Sequence, residues 1–108
     1  MPQILRRDSD FKRVLGRGRS FLGRGVVMYT FKNRCGLLRL GVIASKKVGG
    51  AVERNRARRV IKEAFRNLVR LLPTGVDIVL IARAATINYK TIEVQREIFS
   101  HIKKAGFV

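Results

Sequence analysis

The sequence has no tryptophan, a single cysteine, two prolines and only 7 acidic residues among 108. Each shortage excludes something. Cys35 alone can neither close an intramolecular disulfide nor build a structural metal site, so the expected setting is a reducing cytosol. The 7 carboxylates (Asp8, Asp10, Glu53, Glu63, Asp77, Glu93 and Glu97) are scattered, and only Asp8 and Asp10 are close in sequence. A protein nuclease using two metal ions needs several converging carboxylates. No catalytic residue is therefore assigned to the protein, and no metal ligand is identified. Long apolar runs are also missing, since the longest, Val76 to Ala82, is interrupted by Asp77 and is too short to span a bilayer. The opening MPQILRRDSDF holds no apolar stretch of signal-peptide length. A soluble, cytoplasmic protein without a membrane partner is expected.

Positive charge is what the chain has in excess. Against its 7 acids stand 24 Lys and Arg, a formal charge of +17. So large an excess repels itself in the compact state and is tolerated when a polyanion neutralises it. Arginine dominates the basic residues, and its planar fork suits phosphate and base edges better than an ammonium does. Nucleic acid is the expected partner class. With 108 residues, 46% of them hydrophobic, the chain can bury one core, and residues 1–108 are read as a single nucleic-acid-binding domain.

Periodicity divides the chain into seven elements. Residues 8–15 space Phe11, Val14 and Leu15 at three and four, with Asp8 or Ser9 as N-cap and Gly16 and Gly18 as stops, which predicts a short first helix. RSFLGRG predicts a brief edge strand. GVVMYTF and LLRLGVIAS follow as apolar, partly β-branched runs around the turn-like KNRCG, giving a three-strand meander. After Gly49 and Gly50 the period becomes helical to about Leu72, where Pro73 and Gly75 end it. VDIVLIA reads as a buried strand, and a last helix starts at Asn88 or Thr91. The order αβββαβα, with about four strands in a mixed sheet, makes an α+β sandwich.

The long helix contains the functional signal. At 100° per residue, Ala57, Val60, Ile61, Ala64, Phe65 and Leu68 share one face. Asn55, Arg58, Arg59, Lys62, Arg66 and Arg70 share the adjoining one, and Glu63 borders it. Like charges four residues apart oppose helix formation by a few tenths of a kcal/mol per pair. Arriving phosphates reverse that cost, because each one neutralised releases counterions and Arg adds bidentate hydrogen bonds. Lys46, Lys47 and Arg54 extend the patch towards the helix N-terminus, where phosphate or sulfate is also an expected ligand. Gly49 and Gly50 serve as the turn and permit close backbone approach to a phosphate.

The string KKVGGAVERNRARRVIKEAF, Lys46 to Phe65, resembles the signature of the protein subunit of bacterial ribonuclease P. The D-F-x-x-V at Asp10 to Val14, Tyr29 with Thr30, and the I-A-R at Ile81 to Arg83 fit the same family, so the resemblance covers nearly the whole chain. It implies a small αβββαβα protein with an unusual left-handed βαβ crossover. Its implied role is to assist a catalytic RNA in removing the 5′ leader from precursor tRNA, with Mg²⁺ serving the RNA-catalysed reaction. The family's arginine motif falls on Arg54, Asn55, Arg56, Arg58, Arg59 and Lys62, which implies contacts to RNA. Its leader cleft, between the first helix and the sheet, falls on Phe11, Leu15 and Tyr29. Leu15 departs from the aromatic common there and offers no π-face to a base. Both aromatics are expected to be partly exposed.

Other readings compete. A ribosomal or chaperone-like RNA-binding protein is compatible with the composition, whereas an autonomous nuclease is opposed by the scattered acids and the single histidine. Membrane binding is opposed by a narrow charged stripe without Trp anchors. Cys35 is expected to be inert in a turn, and His101 to lie on the surface of the last helix.

Overall fold

The computed structural model describes residues 2–108. Its elements are β1 (Gln3–Ile4), α1 (Asp8–Arg17), β2 (Arg19–Phe21), β3 (Val26–Lys32), β4 (Leu38–Ile43), α2 (Ala51–Arg66), β5 (Val76–Ala82) and α3 (Thr91–Lys104). Two 3-10 turns, Val69–Leu71 and Ala84–Asn88, flank β5. The α+β class and the expected order stand, with a fifth strand added at the start. β1 eluded the sequence because two residues are too few to show a period. It is held by parallel pairing of Gln3 and Ile4 with Arg39 and Leu40, and by the Leu5 N–H donating to Leu40 O at 2.9 Å.

Strand order is β1-β4-β5-β3-β2. The expected meander is therefore corrected, because β3 and β4 are joined by a turn but β5 inserts between them. β5 is antiparallel to β3 and parallel to β4, so α2 lies in a parallel crossover between β4 and β5. A central strand is covered on both faces, and this is why Asp77 in VDIVLIA is buried with its apolar neighbours.

Alternation assigns the sheet faces. Val26 and Met28 of β3, Leu40 of β4, and Ile78 and Leu80 of β5 pack with Phe65 of α2 and Ile98 and Ile102 of α3. The opposite face is smaller: Leu5, Val14 and Val79 are buried there beneath α1. Each helix turns its apolar stripe to the sheet, and for α2 that stripe is Ala57, Val60, Ile61, Ala64 and Phe65.

Several boundaries differ from expectation. α1 is preceded by Arg7 as N-cap, so Asp8 and Asp10 sit inside its first turn, where their charges suit the positive end of the helix dipole. α1 also runs through Gly16, and the Gly18 N–H closes it on Val14 O at 2.8 Å. α2 ends at Arg66, and the chain tightens into a 3-10 turn before Pro73.

His101 overturns its surface assignment. It is 2% exposed, and its Nε2 donates to Val26 O at 2.8 Å. One turn earlier, the Glu97 carboxylate accepts from the Gly25 and Val26 N–H groups, each at 2.9 Å. Together these side chains fasten α3 to the start of β3.

Candidate nucleic-acid interface

The approach to α2 is shaped by its glycines. Gly49 has φ +148°, and a Cβ there would lie 2.9 Å from the Cβ of Glu53. A side chain is thus excluded by conformation and by space. Glu53 then accepts the Gly50 N–H at 2.8 Å, closing the first turn. This tight entry places the exposed Lys46 and Lys47 directly before the helix.

Along α2, Asn55, Arg58, Arg59, Lys62, Glu63 and Arg66 line one shallow trough. Arg59, Lys62 and Arg66 are exposed. Arg58 is partly ordered, with Nη1 donating to Asn55 Oδ1 at 2.8 Å and Nη2 to Ala44 O at 3.4 Å. Ion pairs of arginine or lysine among the described residues involve Arg13 and Arg39, and none uses a cation of α2. The row therefore keeps its charge available for an external anion. Arg54 is half-buried at the start of the row.

Arg56 points elsewhere. Its guanidinium donates to Ile87 O at 3.1 Å and Tyr89 O at 3.5 Å, tying α2 to the turn after β5. Its helical position, near 200° from Arg54 on a 100° wheel, already set it apart from the stripe.

Phe11, Leu15 and Tyr29 come together on the other face of the sheet, partly buried around Val14 and Val79. Phe31, Ile43 and Ile81 join them. Strand alternation could have identified these three, since residues two apart on β3, β4 and β5 share a face. The Phe11 ring lies over Gly41, where an added Cβ would come within 2.5 Å of Phe11 Cε1. The glycine thus makes room for an aromatic ring against the strand. The result is a half-open apolar groove between α1 and the sheet, and β4 leads from it towards Lys46 and Lys47.

One polar network escaped the sequence reading. Asp77, with no solvent exposure, receives Arg39 Nε at 2.7 Å, Arg39 Nη2 at 2.7 Å and Asn33 Nδ2 at 2.7 Å. The Arg39 pKa is raised by its hydrogen bonds to Asp77, against the opposing effect of burial. Cys35 sits exposed in the adjacent turn. Among the described residues no three His, Cys, Asp or Glu side chains converge in a way that could hold a metal ion, and no helix is long and apolar enough to cross a membrane.

Comparison with known proteins gives one consistent result. A family model described as ribonuclease P matches residues 2–106. The ribonuclease P protein component of Clostridium botulinum, strain Loch Maree, is 42% identical over 103 residues, covering 94% of this chain and 93% of that one. That of Dehalococcoides mccartyi, strain ATCC BAA-2266, is 44% identical over 101 residues, covering 94% and 82%. Among solved structures, the Staphylococcus aureus RNase P protein superposes with a TM-score of 0.79 at 30% identity, covering 97% of this chain and 96% of that one. The Thermotoga maritima protein gives 0.82 at 28% identity, covering 94% and 96%.

Proposed function

The chain belongs to the ribonuclease P protein family, as the protein component of a tRNA-processing endoribonuclease that contains RNA, and we propose how its surfaces divide the work. Arg54, Asn55, Arg58, Arg59, Lys62 and Arg66, with Lys46 and Lys47, engage the backbone of the catalytic RNA subunit. The groove of Phe11, Leu15 and Tyr29 receives the single-stranded 5′ leader of precursor tRNA. The whole chain acts as one RNA-binding domain in the bacterial cytoplasm. An RNA-binding role unconnected with cleavage is not favoured by these relatives.

The observation that carries this reading is the row of α2 cations lining one trough, none of them in an ion pair with a carboxylate among the described residues. Phosphates bound there release counterions and relieve the repulsion between neighbouring turns. Arg56 contributes indirectly, by holding α2 against the turn after β5. In the groove, Phe11 and Tyr29 offer rings to unpaired bases, a sequence-tolerant contact worth about 1–3 kcal/mol per base, while Leu15 supplies apolar contact only.

Mg²⁺ is assigned to the RNA partner, where it serves phosphodiester hydrolysis. The donor sets of this chain do not fit such a site, since its carboxylates are dispersed or engaged by arginine and backbone N–H groups. The protein's part is electrostatic: by neutralising phosphates it lowers the Mg²⁺ that the RNA needs. Reconstitution of the protein with a ribonuclease P RNA and precursor tRNA at low Mg²⁺ tests this. Leader removal is expected only with both subunits present. Site-specific cleavage by RNA-free protein overturns the division of labour.

A further inference from the structure

The sheet edge beside α2 holds a hollow that no element of the fold fills. Ile4 of β1 stands opposite Leu40 of β4, and alternation puts Val42 on the same face as Leu40. With Phe65 of α2 these side chains wall a slot of about 190 Å³. Lys62 and Arg66 also line it; they are exposed and one helical turn apart.

An isolated exposed apolar side chain needs no explanation, and Ile4, 58% exposed, would be one by itself. Here it converges with three apolar neighbours from two other elements on one concavity. Small-molecule sites are built this way, with apolar walls and a few polar groups that fix orientation. Both polar groups of this slot are cations. No carboxylate or hydroxyl side chain lines it, and neither Lys62 nor Arg66 forms an ion pair among the described residues. The complement of such a lining is an anion with an apolar body.

Size narrows the body. An apolar cavity of about 150 Å³ accepts benzene, so this slot takes one ring and not a fused polycycle. Phe65 in the wall favours an aromatic ring, and the Arg66 guanidinium favours contact with its face. We propose that the slot binds a small aromatic anion, a single ring carrying a phosphate or carboxylate, with the ring among Ile4, Val42 and Phe65 and the charge on Lys62 and Arg66. Both cations also belong to the α2 row, so this ligand and the RNA subunit compete for them. The competition rests on the RNA-binding reading of α2, whereas the slot does not.

The probe is phenyl phosphate, with methyl phosphate as the same anion without a ring, each at low millimolar concentration and equal ionic strength. In methyl-labelled protein, phenyl phosphate should shift the Ile4, Leu40 and Val42 resonances, give Overhauser contacts from its ring to these methyls, and bind roughly tenfold more tightly than methyl phosphate. At saturation it should also weaken binding of a ribonuclease P RNA several-fold, where methyl phosphate at the same concentration has little effect. Val42→Phe, which fills the slot with a ring of its own, should abolish the preference for phenyl phosphate and keep RNA affinity within about twofold of wild type. Ile4→Asp should abolish the preference as well; its exposed position guards against a folding defect. Equal affinity for the two phosphates, ring contacts elsewhere on the protein, or a preference retained in both variants overturns the proposal. Failure of the α2 reading is recognised separately: the slot methyls respond to phenyl phosphate, but RNA binding is indifferent both to it and to Lys62→Glu, Arg66→Glu, which overturns the competition.

Discussion

Arg39 holds Asp77 through two bonds of 2.7 Å, from Nε to one carboxylate oxygen and from Nη2 to the other, on a central strand where Asp77 is shut off from solvent. This pair joins β4 to β5 in the sheet, and Asp10 brings α1 to the same guanidinium. Removing one member of a buried pair strands the other, at a cost of about 3–5 kcal/mol. Arg39→Ala, which leaves the Asp77 carboxylate buried without its guanidinium, should therefore destabilise the protein by that order in chemical denaturation. The Asp77→Leu, Arg39→Met double variant should lose less, because neither charge is left behind. A double variant weaker than Arg39→Ala would show that the pair itself, and not its desolvated remainder, supports the sheet.

Arg56 and Arg59 lie three residues apart and should behave oppositely. Arg59→Ala removes an exposed cation from the trough, so folding stability should change by less than about 0.5 kcal/mol while the salt dependence of RNA binding flattens by about one unit. Arg56→Ala removes bonds to the Ile87 and Tyr89 carbonyls, which should cost about 1–3 kcal/mol of stability and alter the slope little. Denaturation midpoints and binding titrations at several salt concentrations separate the two.

The α2 stripe was legible because helix period and charge sign reinforce each other over sixteen residues, and the structure keeps Asn55, Arg58, Arg59, Lys62 and Arg66 in one trough. Strand pairing was less legible. β5 displaces β4 from β3 through long-range packing, which a local pattern does not encode. His101 was readable in principle: it lies three residues after Ile98 and beside Ile102 on the buried face of α3, but its polarity argued for the surface. Burial became affordable because Val26 O accepts from its ring. The Arg39–Asp77 pair was invisible for a simpler reason, since 38 residues separate its members.

Gly41 offers a test of the leader groove without touching an aromatic residue. Adding a methyl group would drive it into the Phe11 ring, which must then move off the strand. Gly41→Ala should reproduce the effect of Phe11→Ala, weakening binding of precursor tRNA with a 5′ leader several-fold more than that of mature tRNA. Affinity for the RNA subunit through α2 should be retained. Equal losses for leader-bearing and mature tRNA in both variants would remove Phe11 from the leader site.

A helix whose cations on successive turns form no ion pair among the described residues, in a chain of net charge +17, should draw stability from anions. Repulsion at i and i+4 raises the free energy of the folded state, while the unfolded chain spreads the same charges apart. Chloride relieves this only by screening. Phosphate, sulfate or pyrophosphate seated on Lys46, Lys47, Arg58 and Arg59 stabilises by mass action, by about 2.7 kcal/mol at a hundredfold excess over the dissociation constant. The Arg58 guanidinium, already held by Asn55 and Ala44, gives such an anion a partly ordered partner. The Tm should rise in low-millimolar pyrophosphate well beyond its rise in chloride at equal ionic strength. Arg58→Ala, Arg59→Ala should lose most of that increment. Sulfate at high concentration also strengthens apolar burial by exclusion from the surface, so the decisive comparison is wild type against variant at low anion concentration. Identical melting curves in chloride and pyrophosphate would show that α2 tolerates its charge without a preformed anion site.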